Sequence, residues 1–400
     1  MKPLEGIRVL DLTRVLSGPY CTMILADFGA EVWKVEAPKG GDDSRAFGPF
    51  QEGHSAYFMS INRNKKSLAI DTRTKEGVAL VKELIPHVDV VVENFKPGTM
   101  EKIGLGEEVL KELNPRLVYT AISGYGHTGP WSSRPAYDAI VQAAGGLMSI
   151  TGHGPGDFVR VGASIGDITA GLFGAIGTLL ALFGREKTGK GDTVDVSMLD
   201  SQVAILENAI ARYFVKGEVP TPKGNRHSSI TPFEDFLCAD DTKVMIAIGN
   251  NGLWKKFLTV AERMDLYDDP RFATNDARTE HYEELKPIMD DIMKSRPASQ
   301  WVEDLVAANV PVTLVNNVKS LVENEQVKAR EMIVTVDKEG VGPFSMADTP
   351  IKLTEGKGGT RTPAPFLGED TEEILRSVLG KTDEDLDALR RSGALGEVKA

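Results

Sequence analysis

Six short strand-like runs in the first half of the chain constrain its fold more than any other feature. They fall at residues 7–12, 31–36, 68–71, 88–92, 117–123 and 192–198, and their apolar residues are continuous rather than alternating. Helix-like segments separate them: one opened by Pro19 and ended by Gly29, one over 74–85, one over 107–113 and a long one after residue 167. Strands of this kind, alternating with helices, form a parallel sheet covered on both faces. Such sheets bind ligands beyond the C-terminal ends of their strands. Here those ends are 14–18, 37–39, Arg73, 94–96 and 124–130. Residues 37–65 read as a long polar connection, a length that is functional or disordered in a compact domain; Tyr57 and Phe58 argue against disorder.

A helix over 199–215 leads into a polar linker at 216–229, KGEVPTPKGNRHSS, which marks a boundary. Beyond it lie strands at 231–236 and 243–248, the loop Gly249-Asn250-Asn251-Gly252, helices near 253–263, 281–294 and 298–308, and a strand at 310–315. A strand pair at 333–336 and 351–353 and two amphipathic helices follow. At 400 residues the chain is too long for one compact core, which implies two domains or one domain with a large insertion.

A net charge of −12 argues against non-specific nucleic-acid binding, so an anionic ligand needs a local basic pocket. Cys21 and Cys238 make no disulfide framework or metal motif. The chain opens without a signal-peptide pattern, and the apolar stretch near 172–183, broken by glycines, reads as too short to span a bilayer. The expectation is a soluble protein of the reducing cytoplasm, with no membrane or nucleic-acid partner.

The stretch 159–171, VRVGASIGDITAG, carries the sharpest chemical signal. It sets Asp167 between a glycine-containing turn and a helix whose Leu172, Phe173, Ile176, Leu179, Leu180 and Phe183 recur at helical spacing. Asp167 reads either as an N-cap, accepting orphan backbone N–H bonds, or as a carboxylate held ionised by the helix dipole. Other motifs are weak. Gly124-Tyr125-Gly126-His127-Thr128-Gly129 follows a strand but opens no helix, so it is not a dinucleotide fingerprint. The six histidines have no metal-ligand spacing, and no metal is expected. Lys39, Arg73, Lys96, Lys102 and Arg134, at or near strand ends, are solvated surface charges or a phosphate-neutralising set.

Several stretches together resemble the class III coenzyme A transferases, the formyl-CoA and carnitine CoA-transferase family. They are Gly6-Ile7-Arg8-Val9-Leu10-Asp11-Leu12-Thr13, Ser17-Gly18-Pro19, Gly29-Ala30-Glu31-Val32-Trp33-Lys34-Val35-Glu36 and Asn62-Arg63-Asn64-Lys65-Lys66-Ser67. Val92-Glu93-Asn94-Phe95, Gly124-Tyr125-Gly126 with Gly129-Pro130, Gly166-Asp167 with Gly171, and Leu367-Gly368-Glu369-Asp370-Thr371 continue the series in the family's order.

The resemblance implies an α/β fold: a Rossmann-like large domain with a parallel sheet, formed by both chain ends, plus an inserted smaller α+β domain, in an interlocked homodimer. The large domain would take 1–215 and 321–400, the linker 216–229 and the small domain 230–320. Asp167 matches the family's nucleophile. Leu16, Ser17, Ile70, Asp71, Thr72, Arg73, Asn94, Phe95, Lys102 and Met198 match positions lining the CoA site, with Lys39 near a family arginine that is Ala37 here. Tyr57, Tyr137, Asp138, Gly249 and Asn250 fall around the substrate, with Asp138 either orienting Asp167 or serving as a loop or cap acid. The implied activity moves CoA from an acyl-CoA to a free carboxylic acid through aspartyl intermediates, with CoA as substrate and no further cofactor. Arg14, Arg226 and His227 are candidates for a second carboxylate. The alternatives are a 2-methylacyl-CoA racemase on the same scaffold and a CoA-binding protein without chemistry. The family's racemases carry a His where this chain has Tyr137, and an ordinary Tyr is a poor base at neutral pH.

Overall fold

The computed structural model describes residues 2–396 and divides the chain into two compact units. The first comprises residues up to Leu147, Arg160–Lys216 and residues from Gln326 onward. Its centre is a six-stranded sheet of β1 (Arg8–Asp11), β2 (Glu31–Glu36), β3 (Lys65–Ala69), β4 (Val90–Glu93), β5 (Val118–Ser123) and β6 (Thr193–Ser197). All neighbours are parallel, in the order β6-β5-β4-β1-β2-β3. This is the doubly wound arrangement, in which the strand order reverses between β1 and β4.

The continuous apolar runs follow from burial on both faces. Side chains alternate between two cores: Leu10, Trp33, Val91 and Tyr119 enter one, Val9, Val32, Val90 and Val118 the other. The first core is closed by α3 (Lys75–Leu84) and by C-terminal helices at Thr371–Leu379 and Asp383–Arg391. The second is closed by α1 (Ser17–Asp27) and α6 (Ile165–Thr188), which pack together. Leu395 bridges Ile70 at the end of β3, and the Asp71 N–H donates to the Ala394 carbonyl at 2.8 Å.

Several expectations need correction. At 24 residues, α6 has the length and composition to cross a bilayer. Half of its most apolar stretch is nevertheless buried in the fold, and a Cβ at Gly174 would lie 2.6 Å from Ile122. It packs as a core helix. Strand β3 begins at Lys65, ahead of its apolar run, because Lys65 and Ser67 are buried with satisfied polar groups. The connection after β2 is folded: it holds a 3-10 turn at Asp43–Ala46, a small hairpin pairing Phe50–Gln51 with His54–Ser55, and helix α2 (Ala56–Ile61). Pro19 is the third residue of α1, not the first. The helix expected over 199–215 is two, α7 (Met198–Ile205) and a second at Glu207–Lys216. Ile333–Lys338 pairs with Gly342–Ala347 across a tight turn containing Gly340, closing a shorter loop than a partner at 351–353. Ile351 and Leu353 are exposed in an irregular segment.

The second unit comprises Met148–Val159 and Gly217–Glu325. Strands Phe233–Leu237, Lys243–Ala247 and Val312–Leu314 form an antiparallel sheet over a core containing Phe236, Trp254, Phe257 and Trp301. Asn250 caps the helix Asn251–Val260, accepting from the Leu253 N–H at 2.9 Å.

Candidate active site

Where the strand order reverses, the loop after β1 is pinned from three sides. The Thr13 N–H donates to Asp11 at 2.9 Å and the Val15 N–H to Asp42 at 3.1 Å. Asn94, just beyond β4, accepts the Arg14 N–H and donates to the Arg14 carbonyl, both at 2.8 Å. Val15 is held at φ 65°, a region that costs a β-branched residue about 1–3 kcal/mol. The constrained loop delivers Ser17 to the start of α1, where its Oγ accepts from Asn94 Nδ2 at 3.2 Å.

Opposite lies the start of α6. Ser164 occupies the N-cap position without a side-chain capping bond, and Asp167 is the third helical residue. Asp167 is therefore not the N-cap. Capping falls to Asp138 at the head of α5 (Asp138–Ala144), whose Oδ1 accepts the Gly166 N–H at 2.8 Å. A Cβ at Gly166 would lie 2.7 Å from Val141 and 3.0 Å from that oxygen, so the position requires glycine. Gln142, absent from the sequence reading, donates from Nε2 to Asp138 Oδ2 at 2.7 Å and accepts from the Val161 N–H at 2.9 Å. Its spacing of four from Asp138 was the available signal, since such pairs meet on one helix face.

Asp167 is half-buried. Burial, then the like charge of Asp138, raise its pKa to about 7, against a hydrogen bond from Ser17 that lowers it. Tyr57 on α2 is pushed up to about 12 by burial, then by Asp167 and Asp42. Asp167 thus combines a carboxylate of raised pKa and no capping role with a helix N-terminus. That combination suits nucleophilic attack or proton transfer near neutral pH.

Not all expected residues show one kind of environment. Leu16, Ile70 and Met198 are buried, with Met198 packed in a sheet core. Phe95 lies under the Arg14 guanidinium at 5.8 Å, and Arg14 pairs with Asp43 at 3.4 Å. Thr72 is half-buried, and Arg73 is exposed and bound to Asp71 through both guanidinium arms at 2.8 Å. Lys39, Lys96 and Lys102 are exposed, and Arg134 stacks on Trp131 at 4.2 Å. Tyr137 immediately precedes Asp138 and is 76% exposed. Gly249, Asn250, Arg226 and His227 belong to the second unit, where Arg226 stacks on Tyr282 at 3.3 Å and His227 on Phe233 at 5.1 Å. A cavity of about 950 Å³ walled by Phe58, Met59, Val341, Phe344 and Phe366 includes none of the expected residues. Among the described residues, no three His, Cys, Asp or Glu side chains form a metal-binding group.

The family model for CoA-transferase family III matches residues 4–371. The chain belongs to that family. As a family III protein it is similar along its length to human succinyl-CoA:glutarate CoA-transferase, 38% identical over 402 residues, covering 99% of this chain and 91% of the relative. It is 37% identical to the succinyl-CoA–D-citramalate CoA-transferase of Chloroflexus aurantiacus, covering 97% of each. The crystal structure of a CAIB/BAIF family protein from Brucella suis superposes with a TM-score of 0.84 at 36% identity, covering 94% of this chain and 99% of that one. The six-stranded parallel sheet is part of the α/β fold that matches that CAIB/BAIF structure.

Proposed function

We propose that this family III enzyme transfers CoA from a dicarboxylic acyl-CoA to a free carboxylic acid, with Asp167 as nucleophile. The observation that carries the reading is the division of labour at α6: Asp138 caps the helix, which relieves the Asp167 carboxylate of capping and leaves it basic. The relatives named for glutarate, citramalate and mesaconate support the substrate class. Arg14, Arg226 and His227 remain the candidates for the distal carboxylate. CoA is held along Leu16, Ser17, Lys39, Ile70 to Arg73, Asn94, Phe95, Lys102 and Met198. Tyr57 and Tyr137 are the candidates to flank the reacting carbonyl.

The Asp167 carboxylate attacks the thioester carbonyl; a C–O bond forms, the C–S bond breaks, and CoA leaves as thiolate. The thiolate then attacks the Asp167 carbonyl of this mixed anhydride, forming aspartyl-CoA and releasing the donor acid. The acceptor carboxylate attacks aspartyl-CoA, expelling thiolate and giving a second anhydride. Thiolate attacks the acceptor carbonyl, and Asp167 returns as carboxylate. Positioning and exclusion of water supply much of the catalysis for so weak a nucleophile.

The exposed apolar face of α6, with Leu172, Ile176, Leu180 and Phe183, supports a homodimer, here the interlocked one, in which the second unit is the inserted small domain. The buried free thiols of Cys21 and Cys238 suit a reducing cytoplasm. Incubation with succinyl-CoA should add acyl or CoA mass to the peptide holding Asp167, and Asp167→Ala should lose transfer by several orders of magnitude. Full transfer by that variant would sink the reading. Deuterium uptake at the α-carbon of a 2-methylacyl-CoA, without transfer to a free acid, would favour the racemase instead.

A further inference from the structure

Gln142 is fully buried one turn after Asp138, and both ends of its amide are used. Nε2 donates to Asp138 and Oε1 accepts from the Val161 backbone. The orientation is set by these partners: a flipped amide would face an N–H with its NH₂ and a carboxylate with its oxygen. Both Asp138 oxygens accept, one from Gln142 and one from Gly166. One side chain therefore joins α5, the segment before α6 and, through Asp138, the first turn of α6.

We propose that Gln142 is a positioning residue for CoA transfer: by clamping Asp138 to the N-terminus of α6 it fixes where Asp167 points and which charge Asp167 faces. The inference rests on Asp167 being the nucleophile. Ser17 reaches Asp167 from α1, Tyr57 from α2 and Asp138 from α5, while Asp42, in the segment after β2, shares Tyr57 with them. Of these groups, Gln142 bonds Asp138 alone. Removing the donor frees Asp138 to turn from α6 and weakens the like charge on Asp167. Adding a carboxylate there strengthens it.

The test measures kcat/KM against pH with succinyl-CoA and glutarate. Gln142→Leu should move the acid limb, set by Asp167, to lower pH by about half a unit or more. It should also lower the plateau rate by roughly ten-fold or more, as the carboxylate loses its aim. Gln142→Glu should move the limb to higher pH. A purely structural role would lower Tm and leave both limbs in place. Limbs that do not move, or that move the same way in both variants, overturn the proposal. If the Leu variant does not fold, the limb of the Glu variant decides. Asp167→Ala is assayed alongside: an inactive Ala variant with unmoved Gln142 limbs rejects the positioning role alone, whereas an active one rejects the nucleophile on which it rests.

Discussion

A Cβ on Gly171 would lie 2.6 Å from the backbone carbonyl oxygen of Ser17, so α1 and α6 meet here backbone to backbone. The contact sits one turn below Asp167 and sets the separation between its carboxylate and the Ser17 hydroxyl. Gly171→Ala should force the helices apart, costing about 1–3 kcal/mol of stability by overpacking. Activity should fall further than stability at a temperature where the variant is folded. Gly184, on the same helix with open space around it, provides the control: Gly184→Ala should be neutral or stabilising by up to about 1 kcal/mol. Thermal melts and transfer assays of the two variants check this.

Beneath the site, two lysines are buried among acids. Lys65 Nζ lies 3.0 Å from Asp11 and also donates to Thr22, Asn62 and the Pro19 carbonyl, while Lys34 lies 2.8 Å from Asp42. Burial pushes Lys65 down to about 8, with Lys34 adding to the shift against the pull of Asp11. Burial would raise Asp11, but Lys65 and Lys34 hold it at about 2. Lys65→Met strands the Asp11 charge and should destabilise by about 3–5 kcal/mol, seen as a lower denaturation midpoint. Because Asp11 also anchors Thr13 in the loop before Ser17, the surviving folded fraction should show reduced turnover.

The raised pKa of Asp167 gives a pH dependence with a definite sign. In the proposed mechanism the nucleophile is the ionised Asp167 carboxylate, so turnover should rise with pH through about 7. The stability effect runs the other way. An acid whose folded pKa lies above its unfolded one stabilises the fold while protonated, and that contribution is lost as pH climbs from about 4 to about 7. Asp167→Asn should therefore be inactive yet more stable than the parent at pH 8, by on the order of 1–3 kcal/mol after allowance for partial exposure. The difference should shrink towards zero near pH 4. Paired melts across this range measure it; equal stability at pH 8 would count against a strained carboxylate.

For assembly, an interlocked dimer cannot separate without partial unfolding. Differently labelled preparations mixed at nanomolar concentration should form no mixed dimers over hours, as followed by energy transfer. Exchange within minutes would exclude interlocking.

The parallel sheet was legible because burial on both faces leaves continuous apolar runs, and the strands at 31–36 and 117–123 fall within one residue of those observed. The acid at the head of α6 was legible too, as a carboxylate before a helical apolar stripe. Strand β3 and the segment after β2 were misread because their polar residues, Arg63, Lys65 and Ser67 among them, are buried against partners distant in sequence. The sequence by itself determined the strand–helix alternation, the family and the presence of an acid at residue 167, since periodicity and motif order are local properties. Tertiary structure decided the surroundings of that acid. Residues 138 and 166 are 28 positions apart, and only their meeting, at 2.8 Å, gives the capping role to Asp138 rather than Asp167. A hydrogen bond and a like charge act through space, and neither leaves a pattern along the chain.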